Sequence, residues 1–197
     1  MPRSFKSKLF KYFLAYKPYG MLTQFTDNSG RKTLADLYDF PQDVYSVGRL
    51  DMDSEGLILL TNDKSITDLL LNPKFSHERE YLVQVEGIPN KDDLKKLEKG
   101  VIIEGRKTLP AKAKFLEIAP QFIEERIPPI RERKNIPVSW ISLALIEGKN
   151  RQVRKMTANI GFPTLRLIRF RIGKLNLNGL RPGQVREIKV SSIHDII

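Results

Sequence analysis

Segments with strand and helix periodicity follow one another along this chain without the strict strand–helix–strand alternation that builds a parallel sheet. That order constrains the fold to α+β, with a mixed or largely antiparallel central sheet and flanking helices. Residues 10–15 read as a strand, followed by a Lys17-Pro18-Tyr19-Gly20 turn. Residues 33–38 read as a short helix capped by Thr33, and 65–71 as a helix stopped by Asn72-Pro73. Residues 57–61 read as a short buried strand or a helix start. Tyr81, Val83 and Val85 alternate with more polar neighbours as in a half-buried strand. Asn90 caps a helix through Leu94 and Leu97 that Gly100 ends. Further strands are expected at 101–104, 112–118, 138–146, 165–172 and 185–190. A helix opens at Asn150, puts Val153, Met156, Thr157 and Ile160 on one face, and closes at Gly161. Residues 119–137 carry Pro120, Pro128, Pro129 and Pro137 among mixed charge and read as an irregular excursion.

The absence of cysteine removes disulfides, thiol nucleophiles and cysteine-based metal centres, and two histidines, His77 and His194, cannot build a multi-histidine site. The apolar runs at 57–60 and 143–146 are too short to span a bilayer, and Lys8, Lys11 and Lys17 break up any signal-peptide pattern. A soluble cytoplasmic protein without a membrane partner is expected. The formal net charge is +11. Its placement is more telling: residues 1–26 hold five basic side chains and 149–174 hold eight, with no acid in either segment. A basic surface so concentrated is the footprint of a polyanion-binding protein, although the same runs would also suit a solvated face.

The densest candidate for chemistry is Gly48-Arg49-Leu50-Asp51-Met52-Asp53-Ser54-Glu55-Gly56, three carboxylates and an arginine between two glycines. An EF-hand loop beginning at Asp51 fails, because its twelfth position is Asn62 rather than a bidentate glutamate. A Mg²⁺ site for phosphodiester cleavage on Asp51, Asp53 and Glu55 would need carboxylates from a second element, and no second cluster is evident. An ordinary acidic turn with capping Asp and Ser would also fit the loop alone.

The loop and the residues after it, through Leu57-Ile58-Leu59-Leu60-Thr61-Asn62-Asp63, resemble the signature of the pseudouridine synthases that act on ribosomal RNA. Glu80-Tyr81-Leu82-Val83 resembles their second motif. Glu147-Gly148-Lys149-Asn150-Arg151-Gln152-Val153-Arg154-Lys155-Met156, with Gly161 and Leu165-Arg166-Leu167-Ile168-Arg169, resembles their third. Lys17-Pro18-Tyr19, Gln24-Phe25-Thr26-Asp27 and Pro128-Pro129-Ile130-Arg131-Glu132-Arg133-Lys134 are similar to the E branch of the large-subunit enzymes. Lys64 and Arg79 depart from the residues that relatives often carry, and neither touches the three motifs' key side chains.

The resemblance implies a pseudouridine synthase fold over 1–197, two lobes around a basic cleft, acting as a monomer on 23S ribosomal RNA. It implies no cofactor and no metal. Only nine residues precede the first strand, so the N-terminal S4-type RNA-binding domain of many relatives is not expected. Asp51 is the implied catalytic carboxylate, which Arg154 keeps ionised. Tyr81 is implied to stack on the target base, and Arg49 to assist extraction of the nucleotide. Lys149, Arg151, Lys155, Arg166 and Arg169 are expected to contact RNA. Asp53 and Glu55 are expected to shape the loop rather than do chemistry. A non-catalytic RNA-binding module and a Mg²⁺-dependent nuclease are the rival readings.

Overall fold

A computed structural model describes residues 10–130 and 135–197. In chain order its elements are β1 (Tyr12–Lys17), β2 (Tyr45–Ser46), β3 (Glu55–Thr61), α1 (Lys64–Leu71), β4 (Arg79–Glu86), α2 (Lys91–Lys99), β5 (Ile102–Ile103), β6 (Arg106–Lys107), β7 (Lys112–Leu116), β8 (Val138–Leu145), α3 (Gln152–Asn159), β9 (Thr164–Ile172), β10 (Leu175–Asn176) and β11 (Val185–Ile188). Short 3₁₀ turns occupy Leu34–Asp36, Pro73–Phe75 and Ile193–Asp195.

One mixed sheet runs β11-β1-β3-β9-β4-β8-β7, with β2 on β3 and β10 on β9, while β5 and β6 form a separate hairpin. Every pairing in the sheet is antiparallel except β3–β9, a parallel seam of two residue pairs, Glu55 with Ile168 and Gly56 with Arg169. Two antiparallel halves are therefore joined at one narrow place. Gly56 permits the junction: its φ is +112°, and a Cβ there would lie 2.4 Å from the Arg169 carbonyl oxygen.

The register assigns the two faces. On one, Leu14, Leu57, Leu59, Leu82 and Ile168 form a core that crosses the seam and takes Ile66 and Leu70 of α1. On the other the core is split in two. Phe13, Ala15, Ile58 and Leu60 pack with Leu34, Val44 and Leu50 on one side. Tyr81, Val83, Ile141, Leu143 and Leu167 pack with α2 and α3 on the other. The cleft between these lobes lies over the seam.

The α2 helix begins after Asn90, whose side chain accepts from the Asp92 and Asp93 amides, and it ends at Gly100, as the sequence predicts. The first strand is displaced two residues from its expected span, because Lys17 is its last member rather than part of the turn. All six of its residues are buried, and β3 is buried along all seven. Residues 57–61 are thus strand, resolving the strand-or-helix ambiguity of a short apolar run. The 119–137 segment is irregular, as expected, in its described part.

Candidate active site

Residues 48–54 lead into β3 at the seam, and their backbone is held almost atom by atom. Thr23 Oγ1 donates to the Leu50 carbonyl at 2.6 Å and accepts from its amide at 3.1 Å. The Asp51 carbonyl accepts the Ser54 amide at 3.0 Å, and the Met52 carbonyl accepts the Gly20 amide at 2.8 Å. Three cations complete the set. Arg169 Nη1 reaches the Arg49 carbonyl at 3.5 Å, Lys17 Nζ the Met52 carbonyl at 3.4 Å, and Arg154 Nη2 the Asp53 carbonyl at 2.6 Å. Every carbonyl from Arg49 to Asp53 therefore has a donor, and charged donors make the stronger bonds of this kind. The Asp51 side chain projects from this fixed turn with 42% of its surface exposed.

Third-motif side chains approach from the opposite lobe. Arg151 precedes α3 in a left-handed conformation, φ +50°, which costs a residue with a Cβ and is found where surrounding structure imposes it. Here the preceding turn imposes it. Buried Glu147 accepts from the Leu109 amide at 2.8 Å and from Gln152 Nε2 at 2.6 Å, while Gln152 Oε1 accepts the Lys149 amide at 2.9 Å. So placed, the Arg151 guanidinium forks onto Asp53 at 3.0 and 2.8 Å and lies 3.5 Å from Asp51 Oδ2. The fork holds the Asp53 carboxyl below the usual carboxylate range.

Arg154 therefore clamps Asp53, through its carbonyl and a 3.4 Å ion pair, and it is Arg151 that stands within ion-pair distance of Asp51. Arg154, expected beside Asp51, thus acts on it only at longer range than Arg151 does.

Tyr81 is 9% exposed and packs at the margin of the core formed with Val83, Leu143 and Leu167, beside the seam. A register shift between Glu80 and Tyr81 pairs it with Arg169, and the buried Arg169 guanidinium interacts with its hydroxyl. Since Arg169 also donates to the Leu57 carbonyl at 2.8 Å, this one side chain connects the loop, β3 and Tyr81. Arg49 is exposed at the rim, and its side chain makes no ion pair among the described residues.

Two expected RNA contacts are corrected. Arg169 is 3% exposed and serves the seam. Arg166 is 5% exposed, forks onto Glu55 at 2.8 and 2.7 Å, and donates to the Glu124 carbonyl at 2.8 Å. Neither can meet a phosphate from solution. Because β9 is central and covered on both faces, its alternate residues point inward whatever their charge. The same pair removes Glu55 from any metal site: of the loop's three carboxylates, Glu55 faces Arg166 in the core and Asp53 is occupied by two arginines.

Lys149, Arg151 and Lys155 are exposed or half-exposed at the cleft edge. Of the first basic segment, Arg3, Lys6 and Lys8 lie outside the described residues.

Sequence reasoning missed Lys17 as a site residue. It is fully buried, and its ammonium donates to Met21 and Pro18 carbonyls at 2.8 and 2.9 Å. The available signal was a lysine ending a strand otherwise wholly apolar. A cavity of about 630 Å³ between the 119–130 segment and the sheet is lined by Gln84, Trp140 and Arg166, on the face away from Tyr81, and takes no part in the site.

The sequence profile of the family described as RNA pseudouridylate synthase matches residues 11–159. A Vibrio parahaemolyticus protein named ribosomal large subunit pseudouridine synthase E is 53% identical over 180 residues, which cover 91% of this chain and 74% of that protein. A protein of the same name from Xanthomonas campestris is 47% identical, covering 88% and 92%. Ribosomal large subunit pseudouridine synthase B of Bacillus subtilis is 42% identical, covering 90% and 67%. Among solved structures, one described as a pseudouridylate synthase superposes with a TM-score of 0.76 at 27% identity, over 96% of this chain and 74% of that one.

Proposed function

The chain belongs to the RNA pseudouridylate synthase family, an enzyme family whose reaction isomerises uridine in RNA, and from that premise we propose that its substrate is one uridine of 23S ribosomal RNA, with Asp51 as the catalytic carboxylate. The observation that carries the assignment is the clamped loop: an exposed carboxylate on a turn whose carbonyls are all held, with a guanidinium 3.5 Å away. The arrangement fixes the position of Asp51 before substrate arrives, so little reorganisation remains for the reaction.

The isomerisation breaks the N1–C1′ bond, turns the uracil, and joins C5 to C1′. C5 loses its hydrogen as a proton and N1, released from C1′, takes one up, so neither protons nor electrons are gained or lost overall. A carboxylate suits the first step by acting on the sugar as the glycosidic bond breaks. The detached base must stay in the cleft while it turns. Tyr81, held beside the seam by Arg169, offers the ring against which it stacks. Arg49, free at the rim, takes the place of the extruded nucleotide or holds its phosphate, offsetting part of the few kcal/mol that unstacking costs. Lys149, Arg151 and Lys155 meet the RNA backbone. The reaction proceeds without metal or cofactor, and the protein acts as a monomer.

Tritium release from large-subunit rRNA transcript labelled at uridine C5 tests this, because C5 gives up its hydrogen only when it becomes the glycosidic carbon. Release by the wild type in chelator, and none by Asp51→Asn, is the expected result. Equal release by Asp51→Asn would remove Asp51 from its role. Loss of wild-type activity in chelator would restore a metal-dependent mechanism.

A further inference from the structure

Beside the cleft, the β5–β6 hairpin leans over the turn preceding α3 and encloses a cavity of about 330 Å³. Its lining is mostly cationic or polar: Arg106 from the hairpin, Lys149 and Lys155 from the third motif, Asn150 and Thr108. Arg106 has no ion-pair partner among the described residues. Glu104 at the hairpin tip is the one acid of the lining, its carboxylate 2.7 Å from Lys155 Nζ although its side chain is 75% exposed, while Lys149 pairs with buried Glu147 at 3.2 Å. The tip is built to present it. Glu104 and Gly105 both adopt positive φ, +50° and +76°, the pattern of a two-residue type I′ turn in which glutamate is an unusual first member. The cavity lining thus holds several cations and a single carboxylate, on an exposed tip.

We propose that this groove binds a backbone phosphate of the RNA, and that the Glu104 carboxylate occupies the phosphate's place until the RNA displaces it. The inference rests on the reading of the protein as an RNA-modifying enzyme and adds a contact, Arg106, that lies outside all three motifs in sequence. Charge selects the ligand. A phosphodiester satisfies Arg106 and Lys155 together, whereas Glu104 reaches only Lys155 among them. Position selects its source, since Lys149 and Lys155 flank the Arg151 that reaches Asp51, and a strand of RNA entering the cleft passes the groove.

The test measures binding of the large-subunit rRNA transcript across a range of salt for wild type, Arg106→Ala and Glu104→Gln. Lys189→Ala, which removes one charge just past the edge strand β11, serves as the charge control. Arg106→Ala is expected to weaken binding several-fold at low salt and to reduce the slope of log K against log salt by nearly one. Glu104→Gln is expected to tighten binding several-fold, because the displaced competitor is gone. If both variants bind like Lys189→Ala in affinity and slope, the groove is not a phosphate site. Tritium release by the same variants separates the two readings: a groove that fails while wild type still isomerises leaves the enzyme assignment intact. Isomerisation absent from wild type, with the slopes changed as expected, leaves a phosphate site on a protein of another function.

Discussion

Lys17 shows how one buried charge can serve a site it never touches. Its ammonium gives its hydrogens to three carbonyls, tying the turn after β1 to Met52, next to Asp51. Burial lowers its pKa from 10.5 to about 8, against the opposing pull of Glu55, Asp53 and Asp51; Arg169 pushes in the same direction as burial. In the unfolded chain the lysine keeps its ordinary value, so between pH 8 and 10.5 the unfolded state binds more protons. By linkage, stability rises with pH through that window and is lost again as pH falls back to 8. The difference is worth on the order of 3 kcal/mol. Tyr12, raised to about 12 by burial and by its hydrogen bond to Asp63, works in the opposite sense above pH 10. The Lys17 contribution is therefore isolated by comparing wild type with Lys17→Met: urea midpoints of the wild type should climb relative to the variant from pH 7.5 to 10. Parallel curves would show that the lysine titrates as it does in water. A residue of this kind is poorly legible in sequence, because composition scores lysine as surface charge. Asp51 is the reverse case: its glycine-bounded, acid-rich loop stands out in the amino-acid order, although the loop alone also fits an ordinary acidic turn and only the resemblance of three motifs singles the residue out.

At the scale of elements, a segment is legible in sequence where its own chemistry settles its state and illegible where a neighbour does. The α2 helix carries its cap, its apolar stripe and its terminal glycine within itself, and its limits were readable. In β9 the pattern is equally readable as strand, yet Arg166 and Arg169 look like RNA contacts in the sequence. Nothing local says that the strand lies between β3 and β4 with both faces covered, and it is this placement that turns Arg166 toward Glu55. The Glu55–Arg166 pair joins the first residue of β3 to β9 across the seam and also fixes the 119–130 segment through the Glu124 carbonyl. Burying two charges costs much of what their attraction returns, so the pair is expected to add little stability over an apolar substitute. Removing one partner is a different matter. Glu55→Ala should destabilise the protein by about 3–5 kcal/mol, because Arg166 is left charged and unpaired, and adding Arg166→Met should recover most of that loss. Chemical denaturation of the single and double variants checks it; a double variant no more stable than Glu55→Ala would mean that the pair is itself needed to close the seam.

At the scale of the whole molecule, the sequence suggested one continuous polyanion surface over 149–174, and folding divides it. Of the eight basic residues there, Arg166 and Arg169 are interior, and Arg171 is held by Glu80 at 2.9 Å and Glu78 at 3.1 Å. Lys174 donates to the His194 carbonyl just past the C-terminal end of β9, whereas the loop at 48–54 meets the sheet where β3 begins. What remains at the cleft is Lys149, Arg151, Arg154 and Lys155, with Arg154 committed to Asp53, and Arg106 from a distant part of the chain joins Lys149 and Lys155 around one cavity. Charge that looked contiguous in sequence has become structural, and charge that looked scattered has gathered. The consequence is measurable in the salt dependence of RNA binding, which counts phosphates neutralised rather than charges present. Lys155→Ala should lower the slope by nearly one. Arg171→Gln, the same loss of charge in the same segment, should leave the slope unchanged while lowering stability, because its guanidinium is already committed to Glu78 and Glu80 where β4 begins. Equal changes in slope for the two would mean that the segment acts as a diffuse field, and that the partition into interior and cleft charge does not govern binding.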